Sequence, residues 1–414
     1  MLATRKKNIL HHVFTPLRKF LSDSRSTGIL LIICTIVSLI LSNASSTQTA
    51  YINFFKAPFH PISFLNTPGD ILTWINDAFM ACFFFLVALE IKRELRIGEL
   101  ASVKKSLLPI LAALGGMICP AIIFSLFNGN TSYAHGWGIP MATDIAFSLG
   151  VLSLLGKRVP VQLKIFLAAL AIIDDLGAIV TIAIFYTSQL HFGYLVSAIG
   201  IISLLVALNF LKVKNPVFYL IPGLILWYCL FNSGVHATIA GVVVAFSMPL
   251  SSLEKFERKL FYPVNFFIMP LFALANTAII LPGTFGSIYT SSISAGVILG
   301  LLIGKPIGIF LFSFLATKSG IAAMPSNTVY KQLFGVAMLG GIGFTMSIFT
   351  STLSYHTDNL QIISKVAIIC GSVLSSVFGY FYLRYLNLDV QGSNVHLPKL
   401  AALEESIINP TPAF

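Results

Sequence analysis

Residues 170–179 read LAIIDDLGAI and place two adjacent aspartates, Asp174 and Asp175, inside an apolar stretch. The flanking sequences IFLAALAII and LGAIVTIAIFY contain almost no polar side chains. Together they form an apolar segment of about 25 residues, which is long enough to cross a bilayer as a helix. Ionisable groups at the centre of such a helix are costly and are retained where they face a cavity or a partner. The stretch therefore predicts a membrane-spanning helix that carries a functional site.

The composition of the whole chain agrees with a membrane protein. Of its 414 residues, 56% are hydrophobic and only 10% are charged, which lies outside the usual range of soluble domains. Apolar windows of about 17–25 residues predict twelve membrane-spanning helices, and hence an all-α polytopic membrane protein. The predicted spans are residues 28–44, 72–91, 107–127, 138–155, 161–187, 193–211, 216–232, 234–250, 263–282, 293–316, 332–354 and 361–386.

The net charge of +11 follows the predicted topology. No long basic run is interleaved with aromatic residues, so we predict no nucleic-acid partner. Basic residues precede the first span and follow the second, fourth, sixth and eighth spans, and Lys56 is the clear exception. By the positive-inside rule both termini are cytoplasmic. The chain then divides into a basic arm at 1–27 that lies against membrane lipids, a membrane domain at 28–386 with an external loop at 45–70, and a tail at 387–414.

Two of the predicted spans are interrupted near their middles. The fourth contains GWGIPMATDIAFSLG, with Pro140, Thr143 and Asp144 at mid-depth, and the eleventh contains LGGIGFTMSIF, with glycines just before Thr345. Interrupted helices in corresponding places of two halves of a chain point to a transporter binding site. In the tenth span, glycine recurs every four residues over 296–308, so we expect a neighbouring helix to approach it closely.

Four ionisable residues lie too deep in the predicted spans to reach water easily: Asp144, Asp174, Asp175 and Lys305. Three acids and one base leave a surplus of negative charge, which favours a bound cation. Neighbouring residues on a helix point about 100° apart. We therefore expect one aspartate of the pair to contact Lys305 and the other to face Asp144 and Thr143. Lys305 would also compensate the partial charges at the ends of the broken helices.

Carboxylate, hydroxyl and carbonyl oxygens form a hard site that suits a small hard cation. The same carboxyl groups also bind protons, because burial and like-charged neighbours favour the protonated form. A site that holds either protons or a metal cation predicts an exchanger rather than an enzyme. If one monovalent cation displaces more than one proton, the cycle moves charge and gains about 2.3 kcal/mol per charge per 100 mV.

Two other function classes stay open on the residues alone. An intramembrane aspartyl protease also needs two buried carboxyl groups, but its YD and GxGD pattern is absent, since Thr143 precedes Asp144 and Ile173 precedes Asp174. A small-solute carrier for anions would ordinarily present a basic site. The five cysteines fall inside apolar spans without metal-type spacing, so we predict no disulfide, zinc or other cofactor.

Several polar residues near the predicted helix ends allow two interpretations. Glu90 and Arg93 form either a solvated cytoplasmic cluster or a gate or pH sensor at a funnel mouth, and for Glu254 and Glu257 a solvated loop is favoured. His236, at the start of the eighth span, is interpreted as a packed histidine rather than a ligand.

Seven segments resemble the NhaA family of bacterial sodium/proton antiporters, in order and over nearly the whole membrane domain. They are INDAFMACFFFLVALEIKREL, IPMATDIAFSLGVLSLLGKRVP, LKIFLAALAIIDDLGAIVTIAIFY, SGVHATIAGV, MPLFALANTA, LLIGKPIGI and GGIGFTMSIF.

The resemblance implies twelve helices built as inverted repeats, with discontinuous spans 4 and 11 crossing at mid-membrane, in the bacterial inner membrane. It implies electrogenic, pH-regulated exchange of Na+ or Li+ for protons by alternating access. The external loop at 45–70 resembles the dimerising hairpin of the family, which implies a homodimer. The loop at 251–262 departs from the family pattern.

The resemblance also implies residue roles. Asp175 would be the principal carboxylate for cation and proton, Asp174 the partner of Lys305, and Asp144 and Thr143 the site residues on the broken helix. The residues implied in the cytoplasmic funnel or in pH sensing are Glu90, Arg93, His236, Glu254 and Glu257.

Overall fold

The computed structural model describes residues 24–61, 65–187, 190–281 and 291–386. The arm as far as residue 23 and the tail at 387–414 lie outside the described residues, so the predicted division of the chain there stays a prediction. The described part is helical, and the only β pairing in it is one antiparallel bridge between Pro58 and Asp70.

The described helices follow the predicted spans closely for most of the chain. They are α1 Ser24–Asn43, α2 Gln48–Lys56, α3 Ile71–Arg96, α4 Val103–Asn128, α5 Ile145–Leu154, α6 Val161–Phe185, α7 Phe192–Phe210, α8 Val217–Ser233, α9 Ile239–Ser247, α10 Leu250–Pro263, α11 Met269–Asn276, α12 Ser292–Lys318, α13 Tyr330–Gly340, α14 Phe344–Ser354 and α15 Asp358–Tyr385.

Length and composition support a protein that crosses the membrane many times. Within the described ranges, eight helical segments are long and apolar enough to span a bilayer, and the pair α13 and α14, bent by 45°, makes a ninth. The all-α polytopic class is therefore confirmed. The helices at the predicted windows 216–232 and 234–250 are not among these eight, since α8 has 17 residues, as its window does, and α9 has only 9.

The predicted loop at 251–262 is wrong, because these residues belong to helix α10. Pro249 precedes its first turn and Leu253 is buried, whereas Glu254 and Arg258 point outward. One apolar face is enough to hold an amphipathic helix against its neighbours. Its charged face made the segment resemble a loop in the sequence. A π-helical turn, Val264–Ile268, joins α10 to α11.

The first part of the external loop differs from the hairpin that the sequence suggested. Gln48–Lys56 form helix α2, in which Tyr51 and Phe55 pack edge to face with ring centroids 5.3 Å apart. Aromatic residues four positions apart lie on the same face of a helix. This part of the predicted hairpin is therefore helical.

The glycines of α12 permit the close helix contact that the sequence predicted. A Cβ atom on Gly308 would lie 2.1 Å from the carbonyl oxygen of Gly115 on α4, and one on Gly304 would lie 2.9 Å from Pro120 Cα. Lys305 lies between these two glycines in the chain, so the contact brings it beside α4.

Candidate ion site at the crossing of two broken helices

The two segments that were predicted to be interrupted contact each other near residues 144 and 342. A 3₁₀ segment, Ala134–Met141, leads into extended backbone before α5, and α13 and α14 are separated by residues 341–343. The backbone N–H of Asp144 donates to the Ile342 carbonyl oxygen at 2.7 Å. A backbone N–H before α5 is thus hydrogen-bonded to a backbone carbonyl group between α13 and α14.

Asp144 joins the first turns of both half-helices. Its Oδ1 accepts from the Phe147 N–H at 2.9 Å and so caps the N-terminus of α5. Its Oδ2 accepts from the Thr345 N–H at 3.1 Å and from the Thr345 hydroxyl at 2.5 Å. The N-termini of helices carry partial positive charge, so both half-helices favour a negative group here.

Asp174 forms the ion pair that was predicted for one of the two adjacent aspartates. Its Oδ2 lies 2.9 Å from Lys305 Nζ, and both side chains are fully buried. Lys305 also donates to the carbonyl oxygen of Met141. The hydroxyl of Thr143 lies 2.6 Å from Asp174 Oδ2 and 2.9 Å from the Gly340 carbonyl oxygen. The Lys305 contact is therefore confirmed. The expectation that Thr143 faces the other aspartate is wrong, because the Thr143 hydroxyl contacts the same Asp174 that meets Lys305.

Asp175 has a buried carboxylate oxygen without a hydrogen-bond partner in the described part of the chain, as does its neighbour Asp174. It is 2% exposed, and its Oδ1 has no hydrogen-bond partner among the described residues. Asp174 Oδ1 is also unpartnered. Buried polar atoms are normally paired, so these two oxygens leave acceptor capacity for a proton or a cation. We call Asp144, Asp174, Asp175, Thr143 and Lys305 the ion cluster.

The residues predicted near the cytoplasmic end form one ion-paired group. Arg93 on α3 lies 2.8 Å from Glu257 Oε2 on α10 and 2.8 Å from Glu94 Oε1, and Glu90 lies one turn earlier on α3. Burial raises the pKa of the Glu257 carboxyl above its ordinary value, and the Arg93 guanidinium partly opposes that rise. Glu254 lies on the exposed face of α10, 3.6 Å from Arg258. The solvated-loop interpretation is thus wrong for Glu257.

His236 lies outside the ion cluster. Its Nε2 is 2.7 Å from the carbonyl oxygen of Tyr186, which follows the last residue of α6. The contact agrees with the interpretation of a packed histidine that ties the segment before α9 to α6.

Two features of the membrane region were not predicted. Thr345 was noted in the sequence only as the residue after a glycine run, and its contact with Asp144 depends on the helix crossing. Lys365 on α15 is 5% exposed, and its Nζ lies 3.4 Å from Asn276 Oδ1. Asn276 in turn donates to Asn76 Oδ1 at 2.7 Å. We call Asn76, Asn276 and Lys365 the asparagine-lysine network.

Comparison with known proteins supplies the family. The family described as Na+/H+ antiporter 1 matches residues 18–383. This chain belongs to that family. It is 51% identical over 383 residues to the Na(+)/H(+) antiporter NhaA 2 of Flavobacterium johnsoniae, which covers 90% of this chain and 93% of that protein.

Other relatives carry the same name. The Na(+)/H(+) antiporter NhaA of Flavobacterium psychrophilum is 46% identical over 389 residues, which covers 91% of this chain and 98% of that protein. The NhaA of Escherichia coli is 46% identical over 378 residues, which covers 89% of this chain and 97% of that protein. The predicted resemblance and the prediction of sodium/proton antiport by a transporter rather than an enzyme are confirmed. The protease and small-solute carrier alternatives are set aside.

Proposed function

We propose that the chain exports Na+ or Li+ in exchange for protons by competition at the ion cluster. Asp175 carries the exchanged proton and, once deprotonated, binds the cation together with Asp144 and Thr143. Asp174 contributes its free oxygen to the same site, and Lys305 balances its charge. The observation that carries the proposal is the unpartnered oxygen of Asp175, buried next to an aspartate that is ion-paired with Lys305.

The charge balance of the cluster supports exclusive occupancy. Lys305 neutralises one carboxylate, so the remaining acids attract one or more positive charges. Two protons balance the two remaining carboxylates, and adding a cation to that protonated cluster would leave an excess of buried positive charge, which is costly in the membrane. If each cation displaces more than one proton, the exchange is electrogenic and uses the membrane potential. No cofactor is needed.

The wider architecture is proposed on the same grounds. It comprises twelve spans arranged as inverted repeats in the bacterial inner membrane, with spans 4 and 11 as the crossing discontinuous helices and both termini in the cytoplasm. By alternating access, the ion cluster would be open first to one side of the membrane and then to the other. The Arg93 and Glu257 pair, with Glu90 and Glu254 on the same two helices, would regulate this exchange by pH, and His236 beside Tyr186 would contribute from a separate place. Two copies would pair through the loop at 45–70.

The test is transport in everted membrane vesicles with a fluorescent reporter of the proton gradient. Addition of NaCl or LiCl should dissipate the gradient, and KCl should have little effect. Asp175→Asn should reduce the Na+ response at least a hundredfold, because an amide neither ionises nor releases a proton. Full activity of that variant would remove Asp175 from the proposed site.

A further inference from the structure

Thr345 makes the closest contact to Asp144, although its sequence position gave no reason to assign it a role. It is 1% exposed and is the second residue of α14. Its backbone N–H and its hydroxyl both reach Asp144 Oδ2, at 3.1 Å and 2.5 Å. No other described side chain donates a hydrogen bond to Asp144.

These two donors determine what Asp144 can offer to a cation. A carboxylate oxygen has two lone-pair sites, and Thr345 occupies both sites on Oδ2. The hydroxyl distance is at the short end of the range for charge-assisted O–H contacts. A cation can therefore use Oδ2 only after the hydroxyl rotates away from it. Once rotated, the hydroxyl presents an oxygen lone pair to the same ion.

We propose that Thr345 is a positioning residue that sets the cation affinity and ion-size selectivity of the site by holding Asp144 Oδ2. The inference rests on the proposed function and deepens it. Asp175 supplies an oxygen that is free for the ion, whereas Asp144 supplies one whose place is fixed by α14. When one ligand oxygen is fixed, the set of oxygens around the ion adjusts less to the size of that ion. The distance between these oxygens is what distinguishes Na+ from the smaller Li+.

Two substitutions at Thr345 distinguish the effect of its hydroxyl from the effect of the rest of the side chain. Thr345→Val keeps the branched shape and the backbone N–H but removes the hydroxyl, and Thr345→Ser keeps the hydroxyl. Ser347 gives a matched control, because its hydroxyl is fully buried on the same half-helix and has no hydrogen-bond partner among the described residues. Ser347→Ala removes a hydroxyl from α14 without touching Asp144.

The experiment measures KM and maximal rate for Na+ and Li+ in proteoliposomes at one fixed pH. For Thr345→Val we expect the KM for Na+ to rise about tenfold, as suits the loss of a hydrogen bond to a charged group. The ratio of the two KM values should change at least threefold, and the maximal rate should stay within twofold. Thr345→Ser and Ser347→Ala should keep both constants within twofold of the wild type.

An unchanged KM for both ions in Thr345→Val would overturn the inference, as would an equal rise in Ser347→Ala. If Thr345→Val does not transport, the rise in melting temperature caused by Na+ is measured on the purified proteins. Retention of the full rise in Thr345→Val would also overturn it. Asp175→Asn is run in parallel: full transport there defeats the proposed function, whatever Thr345 does.

Discussion

Lys305 and Lys365, two of the buried lysines in the described helices, have different surroundings. Lys305 in the ion cluster is fully buried and lies 2.9 Å from the Asp174 carboxylate. Lys365 in the asparagine-lysine network is 5% exposed and contacts only the Asn276 amide oxygen, at 3.4 Å, among the described residues. Lys305 therefore has a counter-charge at ion-pair distance, whereas Lys365 has only the neutral amide group of Asn276.

Aromatic side chains separate the two regions. Phe349, one turn after Thr345 on α14, packs against Phe84 and Phe272 with ring centroids 5.3 Å and 6.4 Å apart. Asn276 follows Phe272 by one turn of α11. Charge pairing is thus found in the region where we propose that ions are exchanged. The region beyond the phenylalanines holds its positive charge with amide groups.

The largest expected difference between the two regions is in stability. Lys305→Met leaves the Asp174 carboxylate buried and unpaired, which costs about 3–5 kcal/mol. Lys365→Met removes a buried charge that has no nearby counter-charge, so its melting temperature should equal or exceed that of the wild type. Thermal unfolding of the purified proteins in detergent measures both.

The double variant Asp174→Asn with Lys305→Met serves as the control for that comparison. It removes both charges together and should melt above Lys305→Met alone. Equal destabilisation by Lys305→Met and Lys365→Met would show that the two surroundings do not differ in the way described.

A second, smaller effect is expected from giving Lys365 the partner that it lacks. Asn276→Asp places a carboxylate at the position 3.4 Å from the ammonium group and should raise the melting temperature. In the Lys365→Met background the same change buries an unpaired charge and should lower it. The interaction energy from the four proteins should fall within about 0.5–3 kcal/mol, and a value of zero would count against direct contact.

The smallest effect is expected for the pair of Arg93 and Glu257, which is partly exposed, unlike the two buried lysines. Because burial raises the pKa of Glu257 in the folded protein, its contribution to stability is present below about pH 4.5 and is lost as pH rises through the folded pKa. The wild type should therefore lose stability relative to Glu257→Gln as pH rises. Exposed fractions of 33% and 19% limit the difference to about 1 kcal/mol.

Melting curves over a pH series provide the measurement for this pair. Glu254→Gln is the matched control on the same helix, because its side chain is 64% exposed. That substitution should leave the melting temperature unchanged. A pH-independent difference between wild type and Glu257→Gln would contradict the assignment.

The sequence predicted most of the spanning helices and the members of the ion cluster, because charged residues inside long apolar runs are visible without a structure. The angle between adjacent helical residues separated Asp174 from Asp175, although it did not determine which of them meets Lys305. The contacts of Thr143 and Thr345 depend on how two helix breaks cross, and no local pattern encodes that crossing. Lys365 lies near the start of its span, so its burial could not be read from its position. Helix α10 was not predicted from the sequence, because its many charged residues hid the periodicity of its narrow apolar face.

The central claim is that protons and a metal cation exclude each other at the ion cluster. Purified protein in a weakly buffered detergent solution is titrated with NaCl at constant starting pH, and released protons are followed with a soluble pH indicator. We predict that Na+ binding releases protons in proportion to occupancy and that Asp175→Asn releases at least one proton fewer for each bound ion. Saturable Na+ binding to the wild type with no release of protons would contradict the claim.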